Sequence, residues 1–371
     1  MSDAGMRKAL SRVVLAVAAL AVAIAIGEVL LTQVFEIHPP HHPQRYIRLR
    51  ERPPLRSFEW EASETFLRKV DGIERHQFRL DNDEDGNVLP AFESEKPEGT
   101  ILFLGGSTTE CENVGESNRF PFLVGQLLAE KGIPVNTINS ASIGNHSRHS
   151  LNILLNKGLK YEPDIAVMMH NINDLTTLRI EGSYFTDHPT RSLILTEKTG
   201  VLFHTKGFLR STIPGLYQST KNVLGFLVGE QDEFKNRRRQ NFAVDKMSIQ
   251  SQFRKSVLMF IGICHANDIE PVLMTQASRF KASPDPIVEN LWGPNGAQEA
   301  GYRSFTDIFH ALNEDIRQLC RDYDVLCIDL AKAIPPERTH LYDSVHFNDT
   351  GSKQAASVIT AKLEALILSQ Q

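Results

Sequence analysis

ILFLGGSTT, Ile101 to Thr109, decides how the rest of the chain is read. Four consecutive apolar residues, Ile101 to Leu104, show no polar alternation, which describes a strand buried on both faces. The Gly105-Gly106-Ser107-Thr108-Thr109 that follows is a strand-to-helix turn, and a helix then runs towards Gly132. The same rhythm recurs outward from this point. Val135 to Ser140, Ile165 to Met169, Pro271 to Met274 and Val325 to Ile328 are further strand runs. Between them Ile249, Phe253, Val257, Phe260, Ile261 and Cys264 recur at helical spacing, as do Ile308, Leu312, Ile316 and Leu319. Apolar strands separated by amphipathic helices predict an α/β fold with a parallel sheet of about five strands, covered on both faces. Ligands then meet the chain at the carboxyl ends of those strands.

Those ends carry the polar residues. The first strand leads into Gly105 to Thr109, the second into Asn139-Ser140-Ala141-Ser142-Ile143-Gly144, and the third into Asn171-Ile172-Asn173-Asp174. After the fifth strand, and before the last helix, stands DSVHFNDTG, Asp343 to Gly351. Each fragment alone reads as a turn or a helix cap. Four of them in order, each at a strand end, exceed what packing requires.

The set resembles the SGNH (GDSL-type) hydrolase superfamily, whose blocks supply Ser, Gly, Asn and His in that chain order. The resemblance runs from about Thr100 to the carboxyl terminus and implies a three-layer, flavodoxin-like sheet. Its last block is the most specific, with Asp343, His346, Asn348 and Gly351 followed by the Ala355-Ala356 helix. Two positions depart from the family pattern: Gly106 stands where the name motif has Asp, and Asn171 where the third block opens with Gly.

The chemistry of ester cleavage can be laid on these residues directly. A serine hydroxyl needs an adjacent base, for which His346 is the candidate, with Asp343 fixing its tautomer and supporting the imidazolium. The tetrahedral oxyanion needs donors, and the backbone N–H groups of Ser107 and Gly144 with the Asn173 amide are expected to supply them. Asp174 is expected to hold the Asn173 loop. His146, His149 and Cys111 read as buried or rim groups, while His170 is a candidate substrate contact. No cofactor or metal is expected.

Leu10 to Phe35 is the other decisive stretch. Its apolar run is as long as the roughly 20 residues a bilayer-spanning helix needs, interrupted mainly by Glu28. The run continues well past the small residues Ala21-Val22-Ala23, which favours a retained anchor over a cleaved signal peptide. Basic residues flank both ends (Arg7, Lys8, Arg12; Arg45, Arg48, Arg50, Arg52), so the preferred orientation, a short cytoplasmic tail at 1–9 and an extracytoplasmic domain, does not follow from charge alone. Residues 36–99, punctuated by HPPHHP, ERPP and EKPEG, read as a stalk and pre-domain segment. Within it, His38, His41 and His42 read as linker. Asp81, Asp83, Asp85 and Gly86 begin like a calcium loop, but Phe92 stands where the bidentate Glu belongs, so a polar turn is expected.

Composition bounds the remaining classes. The chain has 371 residues, 40 basic and 45 acidic, so no basic field points to nucleic acid. Four cysteines without a CxxC pair argue against zinc and redox motifs, and a Cys320–Cys327 bridge stays open. The hydrolase domain at 100–371 carries insertions at about 175–245 and 279–301. The first holds scattered aromatics and the basic run Lys235 to Arg239; the second holds Trp292, a candidate for stacking on a sugar.

A membrane-tethered serine esterase acting on acylated, extracytoplasmic carbohydrate is the leading expectation. An O-acyltransferase using the same acyl-enzyme, and an inactive glycan-binding or assembly protein, are the alternatives. A lipase is less favoured because no apolar lid shows in the periodicity.

Overall fold

The computed structural model describes residues 3–34, 49–73, 77–186, 188, 190–193, 208–209, 211–217, 219–220, 245–292 and 296–370. They divide into two units, 1–41 with 196–236 and 42–195 with 237–371.

In the first unit, helix α1 (Asp3–Val29) runs into a π-helical turn at Leu30–Val34. Its Ser11–Val29 stretch has a mean hydropathy of 2.2 over 19 residues, none of it buried, so it is long and apolar enough to cross a membrane. Glu28, the acidic residue in that stretch, accepts the backbone N–H groups of Gly215 (3.1 Å) and Leu216 (3.3 Å).

The second unit is built on a six-stranded sheet. Its strands are β3 (Val88–Phe92), β4 (Gly99–Gly105), β5 (Val135–Asn139), β6 (Ile165–Met169), β7 (Glu270–Met274) and β8 (Leu326–Ile328). They lie in the order β3-β5-β4-β6-β7-β8. The five from β4 to β8 are parallel and carry the doubly wound order 2-1-3-4-5. The expected five strands are therefore present at the expected positions.

Alternate residues of each strand enter opposite cores. Leu102, Leu104, Ala166, Met168 and Leu273 pack under α5 (Ser147–Asn156), α6 (Ile172–Glu181), α7 (Lys246–His265) and α9 (Gly296–Tyr323). Ile101, Phe103, Ile165, Val167, Val272 and Met274 pack under α4 (Phe120–Glu130) and α11 (Asp349–Gln370). Two-sided burial is why these strands read as continuous apolar runs. Around them sit α2 (Glu64–Leu67), α3 (Ser107–Glu110), α8 (Pro286–Trp292) and α10 (Leu330–Ala333).

Residues expected as stalk and pre-domain segment fold with this sheet from Leu49 onward. β3 adds antiparallel to β5 as its edge, with Val88 opposite Asn139 and Phe92 opposite Thr137. Pro90 inside the run hides it in the sequence, because proline removes a ladder donor and survives only at an edge. β1 (Ser57–Glu61) and β2 (Gln77–Asp81) form a separate antiparallel pair that stacks Trp60 on Phe78. The Asp83 loop is the expected polar turn: Asp83 Oδ1 accepts the N–H groups of Asp85 and Asn87, and Asp85 accepts from Lys160 and Tyr161.

Two insertion boundaries shift. Residues 172–181, partly assigned to the first insertion, are helix α6, and α8 and the start of α9 fill the second. The His38 cluster, Lys235 to Arg239 and the Trp292 side chain lie outside the described residues. Cys320 and Cys327 are both free thiols.

Arg119, 1% exposed, joins the edge to the body by donating to the carbonyls of Leu89, Arg79 and Cys111. Arg119→Ala would leave those acceptors unmatched in the interior. It is expected to lower unfolding free energy by on the order of 3 kcal/mol, read as a fall in the urea midpoint at unchanged slope.

Candidate active site

β4 ends at Gly105, and Ser107 opens the four-residue α3 with Gly106 as its N-cap. The turn is tight because Gly106 O accepts from both Thr109 N and Glu110 N at 3.0 Å. Ser107 therefore stands at the carboxyl edge of the central strand, where the doubly wound order opens its crevice.

From the far end of the chain, Ser107 Oγ meets His346 Nε2 at 2.7 Å. His346 Nδ1 meets Asp343 Oδ2, also at 2.7 Å, and the other carboxylate oxygen accepts the N–H groups of Val345 (2.9 Å) and His346 (2.8 Å). The i, i+3 pair is thus closed on its own backbone, which fixes the imidazole plane. Burial opposes ionisation of both partners, but each outweighs it for the other. The Asp343 carboxyl is held below its usual range, and His346, with Glu112 and Glu110 also contributing, is raised above 6.5.

Asn348 anchors the same loop at the start of α11. Its Nδ2 donates to Gly72 O (2.8 Å) and Arg338 O (3.2 Å), while its Oδ1 accepts from Gly351 N at 2.9 Å. Arg279, almost fully buried, donates to the Leu341 carbonyl and both carboxylate oxygens of Asp71, and its own N–H bonds Ser344 O.

The second and third blocks meet at one carbonyl. Asn173 Nδ2 donates to Asn145 O at 2.8 Å, one residue beyond Gly144. A Cβ on Gly106 would stand 2.4 Å from that same Nδ2, so Asn173 lies directly on the backbone preceding Ser107. The amide occupies the space a side chain at 106 would need. The second departure from the family motif has a role. Asn171 Nδ2 donates to Phe309 O and Asn313 Oδ1, both at 2.9 Å, tying the third block to α9. Gly144 has φ +71°, the left-handed region that favours glycine.

Asp174 does not hold the Asn173 loop as expected. It is buried and accepts from Ser147 N, Ser147 Oγ and the Tyr184 hydroxyl, stapling α6 to the start of α5, and burial raises its carboxyl to about 6. His170, expected as a substrate contact, is 3% exposed and bonded to Ser150 Oγ at 2.7 Å, which leaves it no surface for a ligand. His146 and His149 are buried with rings 3.7 Å apart, and their Nε2 atoms meet the carbonyls of Arg191 and Ser192. Burial holds His149 and His170 down at about 3 and His146 well below 6.5, so all three are neutral. Cys111 is a core thiol pushed up to about 12 by burial.

Several contributors were not foreseen. Tyr342 stacks on His346 with centroids 5.5 Å apart and planes 10° off parallel, and its hydroxyl accepts from Asn113 Nδ2 at 3.0 Å. Asn113 is itself held by Trp60 Nε1 at 3.2 Å. Arg52, from the supposed stalk, reaches the buried Glu110 at 2.5 Å and Glu112 at 3.0 Å. Glu112, Asn113, Tyr342 and Phe347 crowd around Ser107 and His346 without enclosing space for a water. An aromatic beside the Asp343 block was the one local signal for Tyr342; Arg52 had none.

No family model and no curated protein matches this sequence. Among solved structures the chain is similar to an acetylxylan esterase from Geobacillus stearothermophilus, at 13% identity over 72% of this chain and 94% of that one, with a TM-score of 0.42. It is likewise similar to a GDSL-like lipase from Bacteroides thetaiotaomicron, at 12% identity over 74% and 90% of the two chains, with a TM-score of 0.38. The chemistry has to be read from the side chains themselves.

Gly106→Ala is expected to displace the Asn173 amide from Asn145 O and to cost about 1–3 kcal/mol of overpacking strain. A crystal structure of the variant with Asn173 unmoved would contradict this.

Proposed function

We propose that the protein is a membrane-associated serine esterase of the SGNH type, with Ser107 as nucleophile, His346 as general base and Asp343 as its orienting carboxylate. The observation that carries this is the unbroken line Ser107 Oγ, His346 Nε2, His346 Nδ1, Asp343 Oδ2, with 2.7 Å at each step. His346 takes the hydroxyl proton as Ser107 attacks the acyl carbon, then returns it to the departing alcohol; water repeats the cycle on the acyl-enzyme. The Ser107 and Gly144 N–H groups and the Asn173 amide receive the oxyanion.

A short acyl group such as acetyl is the acyl portion we favour, because Glu112, Asn113, Tyr342 and Phe347 crowd Ser107 and His346 and leave no cavity there for a long chain. An acylated sugar is the alcohol we favour, in keeping with the acetylxylan esterase among the structural neighbours. Helix α1 is assigned as a retained anchor, with the enzyme domain on the extracytoplasmic side. Water is the assigned acceptor, and an acceptor sugar would use the same acyl-enzyme.

Ser107→Ala is expected to abolish hydrolysis of an aryl acetate, and Asn173→Ala to slow it by roughly 100- to 1,000-fold. Full activity in the serine variant would reject the reading. Aryl acetate should be cleaved at least tenfold faster than the octanoate at equal concentration; the reverse order would indicate a lipase. Since His346 must be neutral to accept a proton and its value is raised, the rate should climb as pH rises through a midpoint above 6.5. A kcat/KM profile with its acid limb below that point would contradict the assignment.

A further inference from the structure

Arg50, seven residues before the first strand of the small hairpin, reaches the second block. Its Nη2 donates to Ile143 O at 3.2 Å, and its own carbonyl accepts from Asn145 Nδ2 at 3.1 Å. The arginine thus grips both sides of Gly144. A Cβ at 144 would lie 2.6 Å from the same Nη2, so the glycine gives the guanidinium room.

The carbonyl it binds is chemically specific. Ile143 C=O and Gly144 N–H belong to one planar trans peptide, in which the two bonds point in opposite directions. A cation held on the oxygen therefore fixes where the N–H points and polarises it as a donor. Two residues on, Asn145 O receives Asn173 Nδ2, so both non-serine donors hang on this three-residue loop.

We propose that Arg50 is the positioning residue of the oxyanion hole, acting through the Ile143–Gly144 peptide on the esterase reaction assigned above. A merely structural arginine would alter stability and substrate affinity; one that aims a transition-state donor acts on kcat.

The test is aryl acetate kinetics on the full chain for Arg50→Ala and Arg50→Lys beside wild type. Arg50→Ala should lose about 10- to 100-fold in kcat, less than deletion of a whole donor, with KM within twofold. Free guanidinium ion at tens of millimolar should restore part of that loss. Wild-type kcat, a loss confined to KM, or no response to guanidinium would overturn the proposal. If Arg50→Ala shows no cooperative thermal transition, Arg50→Lys is read instead: a three- to tenfold lower kcat at wild-type Tm supports the role, and an unchanged kcat overturns it. Wild type inactive on aryl esters, or an active Ser107→Ala, sinks the esterase reading itself. When both of those controls behave and Arg50→Ala keeps its kcat, only the Arg50 inference falls.

Discussion

The hydrogen bond between Ser107 and His346 joins positions 239 residues apart, and the whole fold is arranged around its 2.7 Å. One partner is set by the end of the central strand β4 and the other by the loop leading into α11. Neither element alone confers a useful geometry. The serine is placed by a turn whose carbonyl at Gly106 is doubly bonded, the histidine by a carboxylate three residues back that is satisfied by its own loop. Only the parallel sheet, buried on both faces, holds the two within proton-transfer distance against thermal motion.

Charge near this line is organised by the chain that leads into the sheet. Glu110 is fully buried and would be costly there alone; Arg52 meets it at 2.5 Å and spans to Glu112. Arg119 spends its donors on three carbonyls, and Arg279 on Asp71, Asp285 and a carbonyl of the Asp343 loop. Buried guanidiniums recur here because a planar fork satisfies several acceptors from one position. Arg52, Asp71 and Leu89, all before β4, are in this way structural to the crevice.

The histidines illustrate how environment sorts one residue type into two roles. His146, His149 and His170 sit near the same strand ends, but burial without a close ionised partner keeps them neutral, bonded to Ser150 and to backbone carbonyls. His346 is only partly buried and faces Asp343 at 2.7 Å, and its value moves the opposite way. The Asp174 carboxylate closest to His170 stands 3.6 Å away and is taken up by Ser147 and Tyr184.

The parallel strands were legible because two-sided burial writes uninterrupted apolar runs, and the four polar blocks because they punctuate those runs. Asp343 and His346 could be paired once the four blocks were taken together, since i, i+3 residues in one loop are close neighbours. β3 was not legible, because an edge strand carrying Pro90 lacks both the run and the alternation. Arg50 and Arg52 were equally hidden, since their partners lie far along the chain and exposed-looking charges in a proline-rich stretch have no periodicity to betray burial. His170 and Asp174 were misjudged for a related reason: sequence places a residue at a strand end, but only packing decides whether its side chain turns towards the crevice or into the helices beneath. Local patterns thus determined the sheet and the polar blocks at its strand ends, whereas contacts between distant segments, set by how much surface each can bury, decided what surrounds them.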